Sequence, residues 1–486
     1  MRIHDMINIK RIAVGLSLVV ALGAMGACED LLDVDLPSAL TDEALDAPEG
    51  ADTQVNSVIA LFECAYSTLA YQAAGHEDVW EKIAGVSGSA AQYDAWPDRG
   101  DCDSSPEDDD WYDNIQVGRA LGVKTYARLG EWTDDEVDSR TQKQAIVALY
   151  IAANMDVLGE FFCEMAVDGG SLMSATATLS LGETWIATAL GHISSIGDFE
   201  MPYGIASSAT NMAVGLRARM KWSRGDLSGA MADANAVPAR FTSWVIRGAG
   251  PQRRNKVYNT GTAVGYAGML DVNDWWHEGP NPVTGQAWGS PIPFTGYLNL
   301  SIMADGRAVY ASGLPVRASD AGSSLDSRVG HFMKTVQGPV PRDVPLKYTA
   351  DSDNIPLVSW QELLLIKAEA QGGQAAIDLV NELRTFHGLP QVTYADPGNA
   401  TEIRYMILEE RRRELFLTSR WWAIKIQNTD VLWFPRSTGF FPEQGYELNG
   451  GVRMVMPRSE YDLNENFTVD QRSTGCDVGQ RPVIRS

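Results

Sequence analysis

Cysteine, histidine, positive charge and long apolar runs are all scarce in this chain, and each shortage closes off a class of function. There are five cysteines in 486 residues. None forms a Cys-x-x-Cys pair, and no Cys/His spacing of the zinc-binding kind occurs. The six histidines are scattered, so no metal centre is expected. Lys and Arg number 39 against 63 Asp and Glu, a net charge of −24. Such a surface argues against nucleic-acid binding, which needs clustered cations on a phosphate backbone. It also disfavours anionic substrates unless a local basic site exists. No stretch after Cys28 approaches the roughly 20 apolar residues of a membrane-spanning helix.

The N-terminus carries an export pattern. Arg2, Lys10 and Arg11 form a short positive region, and Ile12 to Ala27 is almost entirely apolar or small. That order reads as a secretory signal peptide over residues 1–27. Cys28 follows Gly23, Ala24, Met25, Gly26 and Ala27, a setting that resembles the lipobox of bacterial lipoproteins. The resemblance implies cleavage before Cys28, acylation of its thiol with a palmitate-type chain, and anchoring by lipid alone. Residues 28–50 are acidic, with Glu29, Asp30, Asp33 and Asp35 plus Pro37 and Pro48, and read as a solvated tether or an address for surface export. The remaining cysteines, Cys64, Cys102, Cys163 and Cys476, would face an oxidising compartment and are expected to form structural disulfides. Four cysteines allow three pairings, and the sequence does not choose among them.

The body reads as mainly α-helical. Residues 51–239 form an N-terminal helical part. Val55, Ile59, Phe62 and Tyr66 mark a helix from Thr53 to about Ala73, and Trp111 to Leu129 is another. Gln142 to Phe162 is predicted to bury one face through Ile146, Leu149, Ala153 and Val157. Ser180 to Ile196 is predicted to bury Leu181, Trp185, Ala189 and His192. Asn211 to Ser223 ends at Arg224-Gly225-Asp226, where Asp226 can cap the next helix through Ala230, Ala234 and Val237. This last hairpin resembles a tetratricopeptide unit. Residues 240–358 are dense in Gly, Pro, Trp and Tyr and read as an irregular, loop-rich region with short strands. Residues 359–486 return to helices: Ser359 to Ala370, Ala375 to Phe386, and Glu402 to about Leu417 with Thr401 as its cap.

The C-terminal helices carry a family resemblance. Glu362-Leu363-Leu364-Leu365-Ile366-Lys367-Ala368-Glu369-Ala370 resembles the "E-x-L-L-I-x-A-E-A" helix of SusD/RagB-family lipoproteins. Asp378 to Arg384 resembles the family's "N-x-x-R" helix, and Ile407 to Leu415 its "E-E-R-x-x-E-L" helix. Asp326-Ser327-Arg328 is similar to its "D-x-R" turn, and Cys28 to Val34 to its mature start. These pieces stand in family order and bracket nearly the whole mature chain. One block departs: where the family has "E-G-x-R-W-x-D", this chain has Thr418 and Ile424 at the acidic positions, so the ionic packing there has to be rebuilt.

The resemblance implies a SusD-like fold of tetratricopeptide-like pairs with an irregular part packed on them. It implies an outward-facing outer-membrane lipoprotein that captures oligosaccharides or peptides and hands them to a SusC-like TonB-dependent transporter. It implies a binding protein without cofactor, metal or catalytic residue. Two loops combine aromatics, for stacking on a sugar, with amides and charges for its hydroxyls. One holds Tyr93, Trp96, Arg99 and Asp101; the other holds Asn273, Asp274, Trp275, Trp276 and His277, with Trp288 and Tyr297 beyond. Adjacent Trp275 and Trp276 cannot both face a ligand. Trp421 and Trp422 read as buried scaffold. In the Glu409–Glu414 helix, Glu409 and Arg413 are four apart and pair on one face, while Glu410 and Glu414 repel unless Arg411 or another cation intervenes. That pattern reads as a structural ion-pair network. Two other functions fit the sequence less well: a secreted glycoside hydrolase, for which no local motif nominates a carboxylate pair, and a protein-binding tetratricopeptide scaffold.

Overall fold

The computed structural model describes residues 45–77, 80–82, 111–259, 270–272, 300–302, 308–310, 328, 331–334, 342–389, 391–392, 395–428, 440–441, 446–447, 453–454 and 456–471. Residues 1–51 and 52–486 are two separate units. The expected signal peptide, Cys28 and most of the expected tether lie outside the described residues, and what is described of the first unit includes a 3-10 turn, Pro48–Gly50.

The second unit is built from helices. In chain order these are α1 (Ala51–His76, entering from the boundary), α2 (Trp111–Glu131), α3 (Arg140–Phe161), α4 (Ala175–Ile196), α5 (Ala209–Ser223) and α6 (Leu227–Ala236). After the irregular middle come α7 (Trp360–Gln371), α8 (Gly373–Phe386), α9 (Ala400–Glu414), α10 (Arg420–Gln427) and α11 (Arg458–Leu463). Successive helices pack as neighbours: α2 on α3, α3 on α4, α5 on α6, α7 on α8. This is the hairpin order that the periodicity predicts. Val55, Ile59, Phe62 and Tyr66 of α1 are all buried. Gly225 turns the α5–α6 hairpin at φ +83°, a conformation that costs a glycine little, and Asp226 Oδ1 accepts from Gly229 N at 2.9 Å as the cap.

Three local expectations are corrected. α3 does not bury one face: every residue from Gln144 to Phe161 is buried, because other elements surround it on all sides. The buried stripe of α4 is Leu179, Gly182, Ile186, Ala189 and Ile193. Of the four residues predicted, only Ala189 belongs to it. Trp185 and His192 lie on the flank, where Trp185 meets the Tyr126 ring edge-on at 5.2 Å and His192 Nε2 is 2.8 Å from Tyr126 Oη. Finally, Asn399 rather than Thr401 caps α9, its Oδ1 accepting from Thr401 N at 3.1 Å and Glu402 N at 3.3 Å. That helix ends at Glu414, and Leu417 (φ 57°) and Ser419 (φ 67°) turn the chain into α10.

The strands are short and pair in twos. β1 (Trp80–Lys82) pairs with β5 (Leu270–Val272), and β2 (Glu164–Met165) with β3 (Met173–Ser174). β4 (Thr242–Val245) pairs antiparallel with β10 (Ile355–Ser359), so the two ends of the irregular middle meet in one ribbon beside α5 and α7. The approach is close: a Cβ on Gly215 of α5 would fall 2.4 Å from Val358 Cγ1 of β10. Between them lie β6 (Leu300–Ile302) with β7 (Ala308–Tyr310), and β8 (His331–Lys334) with β9 (Arg342–Pro345). β11 (Phe440–Phe441) and β12 (Tyr446–Glu447) form a last pair. The C-terminal segment returns to the first helices: Met454 bridges Phe162, and Tyr112 Oη donates to Glu460 Oε1 at 2.9 Å. Cys64 and Cys163 are both disulfide-bonded; Cys102 and Cys476 lie outside the described residues.

Charge holds the helical layers in register. Arg219 of α5 and Arg420 of α10 both bind Glu362 of α7, at 2.7 Å each. Arg420 also pairs with Glu160 of α3, and Arg219 with Asp156 of α3 at 3.3 Å. All five side chains are buried. Arg420 thus supplies the ionic packing that Thr418 and Ile424 cannot. The α9 helix repeats the device. Glu409 binds Arg412 (2.7 Å) and Arg413 (2.6 Å), and Arg411 reaches Glu369 (2.6 Å) while lying over the Trp222 ring. The cation between Glu410 and Glu414 is not Arg411 but Arg328, 2.7 Å from Glu410 and 3.5 Å from Glu414; Arg384 completes the Glu410 pair at 2.6 Å. Trp421 and Trp422 are buried, with Trp422 stacked on Phe161 at 4.6 Å.

Burial by itself would raise the Glu362 carboxyl, but the two guanidiniums override it and hold it at about 2. Its folded value therefore lies below the unfolded one of 4.5. The stability it contributes is complete above pH 4.5 and is lost as pH falls toward 2. Glu362→Gln is expected to destabilise by roughly 3–5 kcal/mol at pH 7, because it strands two buried arginines. Denaturant melts should show that gap closing between pH 4.5 and 2. Asp156 has the opposite sign. Burial and Glu160 push it up to about 8, so its contribution to stability declines as pH rises from 3.8 to about 8. Asp156→Asn should match the wild type at pH 4 and exceed its melting temperature at pH 8.

Candidate functional site

The predicted ligand residues Tyr93, Trp96, Arg99 and Asp101, and Asn273, Asp274, Trp275, Trp276, His277, Trp288 and Tyr297, lie outside the described residues. The structure does place the segments from which both loops start. Trp80 pairs with Val272 and Lys82 with Leu270. The chain leaves this ribbon toward residues 83–110 at Lys82 and toward residues 273–299 at Val272. Because the pair is antiparallel, these departure points stand at opposite ends of the ribbon, two residues apart along it. Two segments separated by nearly 200 residues in sequence thus spring from one small sheet.

The charged residues of the Glu409–Glu414 helix are packed as framework. Each carboxylate in it is within ion-pair distance of at least one cation. None is a free acid or base aimed into open space. Among the described residues, no group of three or more His, Cys, Asp or Glu could hold a metal ion. No described helix is long and apolar enough to cross a membrane.

Sequence reasoning missed a cavity of about 310 Å³ beside this framework. One wall is the β4–β10 ribbon, with Thr242, Trp244 and Leu357. The start of α7 supplies Ser359, Gln361 and Glu362; the end of α9 and the turn after it supply Glu414 and Thr418. Lys347, Arg328, His387 and Arg420 complete the lining. Most of the charges are already matched. Arg328 is engaged by Glu410 and Glu414, Arg420 by Glu160 and Glu362, and His387 Nε2 lies 2.8 Å from Glu414 Oε2. Lys347 is different: its Nζ donates to the backbone oxygen of Glu414 at 3.1 Å and makes no ion pair with a described residue. Burial brings its amine down to about 8, although Glu414 and Glu77 favour the charged form. Gln361 Oε1 is buried and accepts no hydrogen bond. Nothing local marks this site in sequence, since its walls come from residues 242 to 420.

A shallower polar depression lies at the α8 surface, lined by Arg240, Asp378, Asn381, Glu382, Thr385, Phe386 and Gln391. Arg240 sits 3.9 Å above the Trp360 ring and 4.2 Å from that of Phe386, which is 49% exposed. Its guanidinium is held by the two rings, and Asn381 Oδ1 is occupied by Val392 N at 2.7 Å.

No protein-family model and no curated protein matches the sequence. Solved structures do match the fold. A SusD-like carbohydrate-binding protein from Bacteroides vulgatus aligns over 87% of this chain and 97% of its own, with TM-score 0.55 and 12% identity. A SusD superfamily protein from the same organism aligns over 87% and 99%, with TM-score 0.57 and 12% identity. One from Parabacteroides distasonis aligns over 90% and 100%, with TM-score 0.56 and 15% identity. All three align over most of this chain and nearly all of their own length, so this chain has the fold of the SusD superfamily.

Proposed function

We propose that this protein is a surface lipoprotein that captures oligosaccharide nutrients and delivers them to a SusC-like TonB-dependent outer-membrane transporter. The observation that carries this reading is the SusD fold, matched over 87–90% of the chain by structures that include a carbohydrate-binding protein. The sequence supports the rest: an export signal, Cys28 in a lipobox-like setting, and an acidic tether before the body. Cys28 anchors the chain to the outer leaflet, and the tether lets the body sit over its transporter as a lid. The ligand is held by Tyr93, Trp96, Arg99 and Asp101 together with Asn273, Trp275 or Trp276, Trp288 and Tyr297. Rings stack on the sugar's apolar face while amide and charged groups bind its hydroxyls. Binding without catalysis fits the ion-paired state of the Glu409–Glu414 helix.

Peptide capture is the second reading, since the same family resemblance covers it. Isothermal titration against a glycan panel distinguishes the two. Trp96→Ala and Trp275→Ala should each lower glycan affinity about tenfold or more. Unchanged affinity in both variants removes this site, and failure of the wild type to bind any glycan turns the reading toward peptides. Release of reducing ends from a bound glycan would instead identify a hydrolase. For the anchor, Cys28→Ser is expected to be exported yet recovered in the soluble fraction after carbonate washing. A variant that stays with the membrane contradicts lipidation at Cys28.

A further inference from the structure

The cavity between the β4–β10 ribbon, the start of α7 and the end of α9 has a specific chemistry. At about 310 Å³ it stands at the small end of ligand pockets, ~300–1,000 Å³, which suits one sugar ring rather than a chain. Its lining offers a ring surface in Trp244 and hydroxyls in Thr242 and Ser359. It also holds two polar groups whose bonding is incomplete. Gln361 Oε1 is buried without a donor, and such an acceptor costs stability unless something donates to it. Lys347 carries three N–H donors and uses one, on the backbone oxygen of Glu414.

The charges around Lys347 explain why it can take an anion. The Glu414 carboxylate is engaged by Arg328 and His387. Glu362 is engaged by Arg219 and Arg420. Glu77, just past the end of α1, accepts from Trp422 N at 3.1 Å. The start of α7, a 12-residue helix, faces the same space and adds the positive end of its dipole.

We propose that this cavity binds a single hydroxylated carboxylate of hexuronate size and chemistry. Its carboxylate lies on Lys347 Nζ, a ring hydroxyl donates to Gln361 Oε1, and its apolar face lies along Trp244. The neutral hexose lacks the one group that Lys347 recognises. The site stands whether or not the aromatic loops bind glycan.

Titration of the full mature chain with D-glucuronate and D-galacturonate, and with D-glucose and D-galactose as uncharged controls, tests this. At least one uronate should bind saturably and at least tenfold more tightly than its neutral counterpart. Methyl resonances of Leu346 and Leu357 should shift with it. Lys347→Met should weaken the uronate at least tenfold, Lys347→Arg should retain it, and Gln361→Leu should weaken it several-fold. Trp96→Ala and Trp275→Ala should leave it unchanged. If Lys347→Met does not fold, the wild-type uronate-to-hexose ratio and the Gln361→Leu variant decide. Absence of saturable uronate binding overturns the proposal. So does equal affinity for uronate and hexose, or loss of uronate binding in the loop variants alone.

Discussion

Two arginines that share one buried carboxylate set the arrangement of the whole body. Arg219 and Arg420 converge on Glu362 from different helices, and Glu160 and Asp156 close the cluster from a third. Removing such charges from water costs several kcal/mol each. The cost is offset only where geometry lets every guanidinium meet its carboxylates. Arginine suits this role because its planar fork holds fixed directions. The four helices α3, α5, α7 and α10 can therefore dock in one register, since any slip strands a charge in the interior. The apolar core, with Leu365, Ala368 and Val380 among its residues, packs around this charged frame.

The same constraint shapes the cavity. Glu362 and Arg420 belong both to the framework and to the cavity lining, and Arg328 and Glu414 serve likewise at its other end. The lining is rigid because its charges are committed to one another. Lys347 and Gln361 stand out against that background: Gln361 Oε1 is buried without a donor, and Lys347 has hydrogen-bonding capacity to spare.

How much was legible in sequence differs by feature. Helix positions were, since their signals are local: the 3.6-residue period in α1, the Gly225-Asp226 turn, the propensity of Trp360 to Ala370. So was the Glu409–Arg413 pair, which lies within one helix. Errors arose where a local signal has several solutions. Thr401 and Asn399 can both cap a helix, and the two choices differ by two residues. In α4, Leu181, Trp185 and His192 follow as good a period as the true stripe, and the packing of α3 and α5 against it selects the buried face. In α3 no face is exposed, so amphipathic reasoning has nothing to detect.

The sequence by itself determined the class of the protein: mainly helical, acidic, and similar in its C-terminal motifs to the SusD/RagB family. These properties sum over many residues or lie within a few turns, so they survive without coordinates. Tertiary structure decided which charges meet. Arg328 bridges Glu410 and Glu414 across more than 80 residues, and Arg420 reaches Glu160 across 260. Coulomb and hydrogen-bond energies depend on distance in space, which no spacing in sequence encodes. The cavity beside Lys347 is of the same kind, formed by side chains from six separate segments that only folding brings within one ligand's reach.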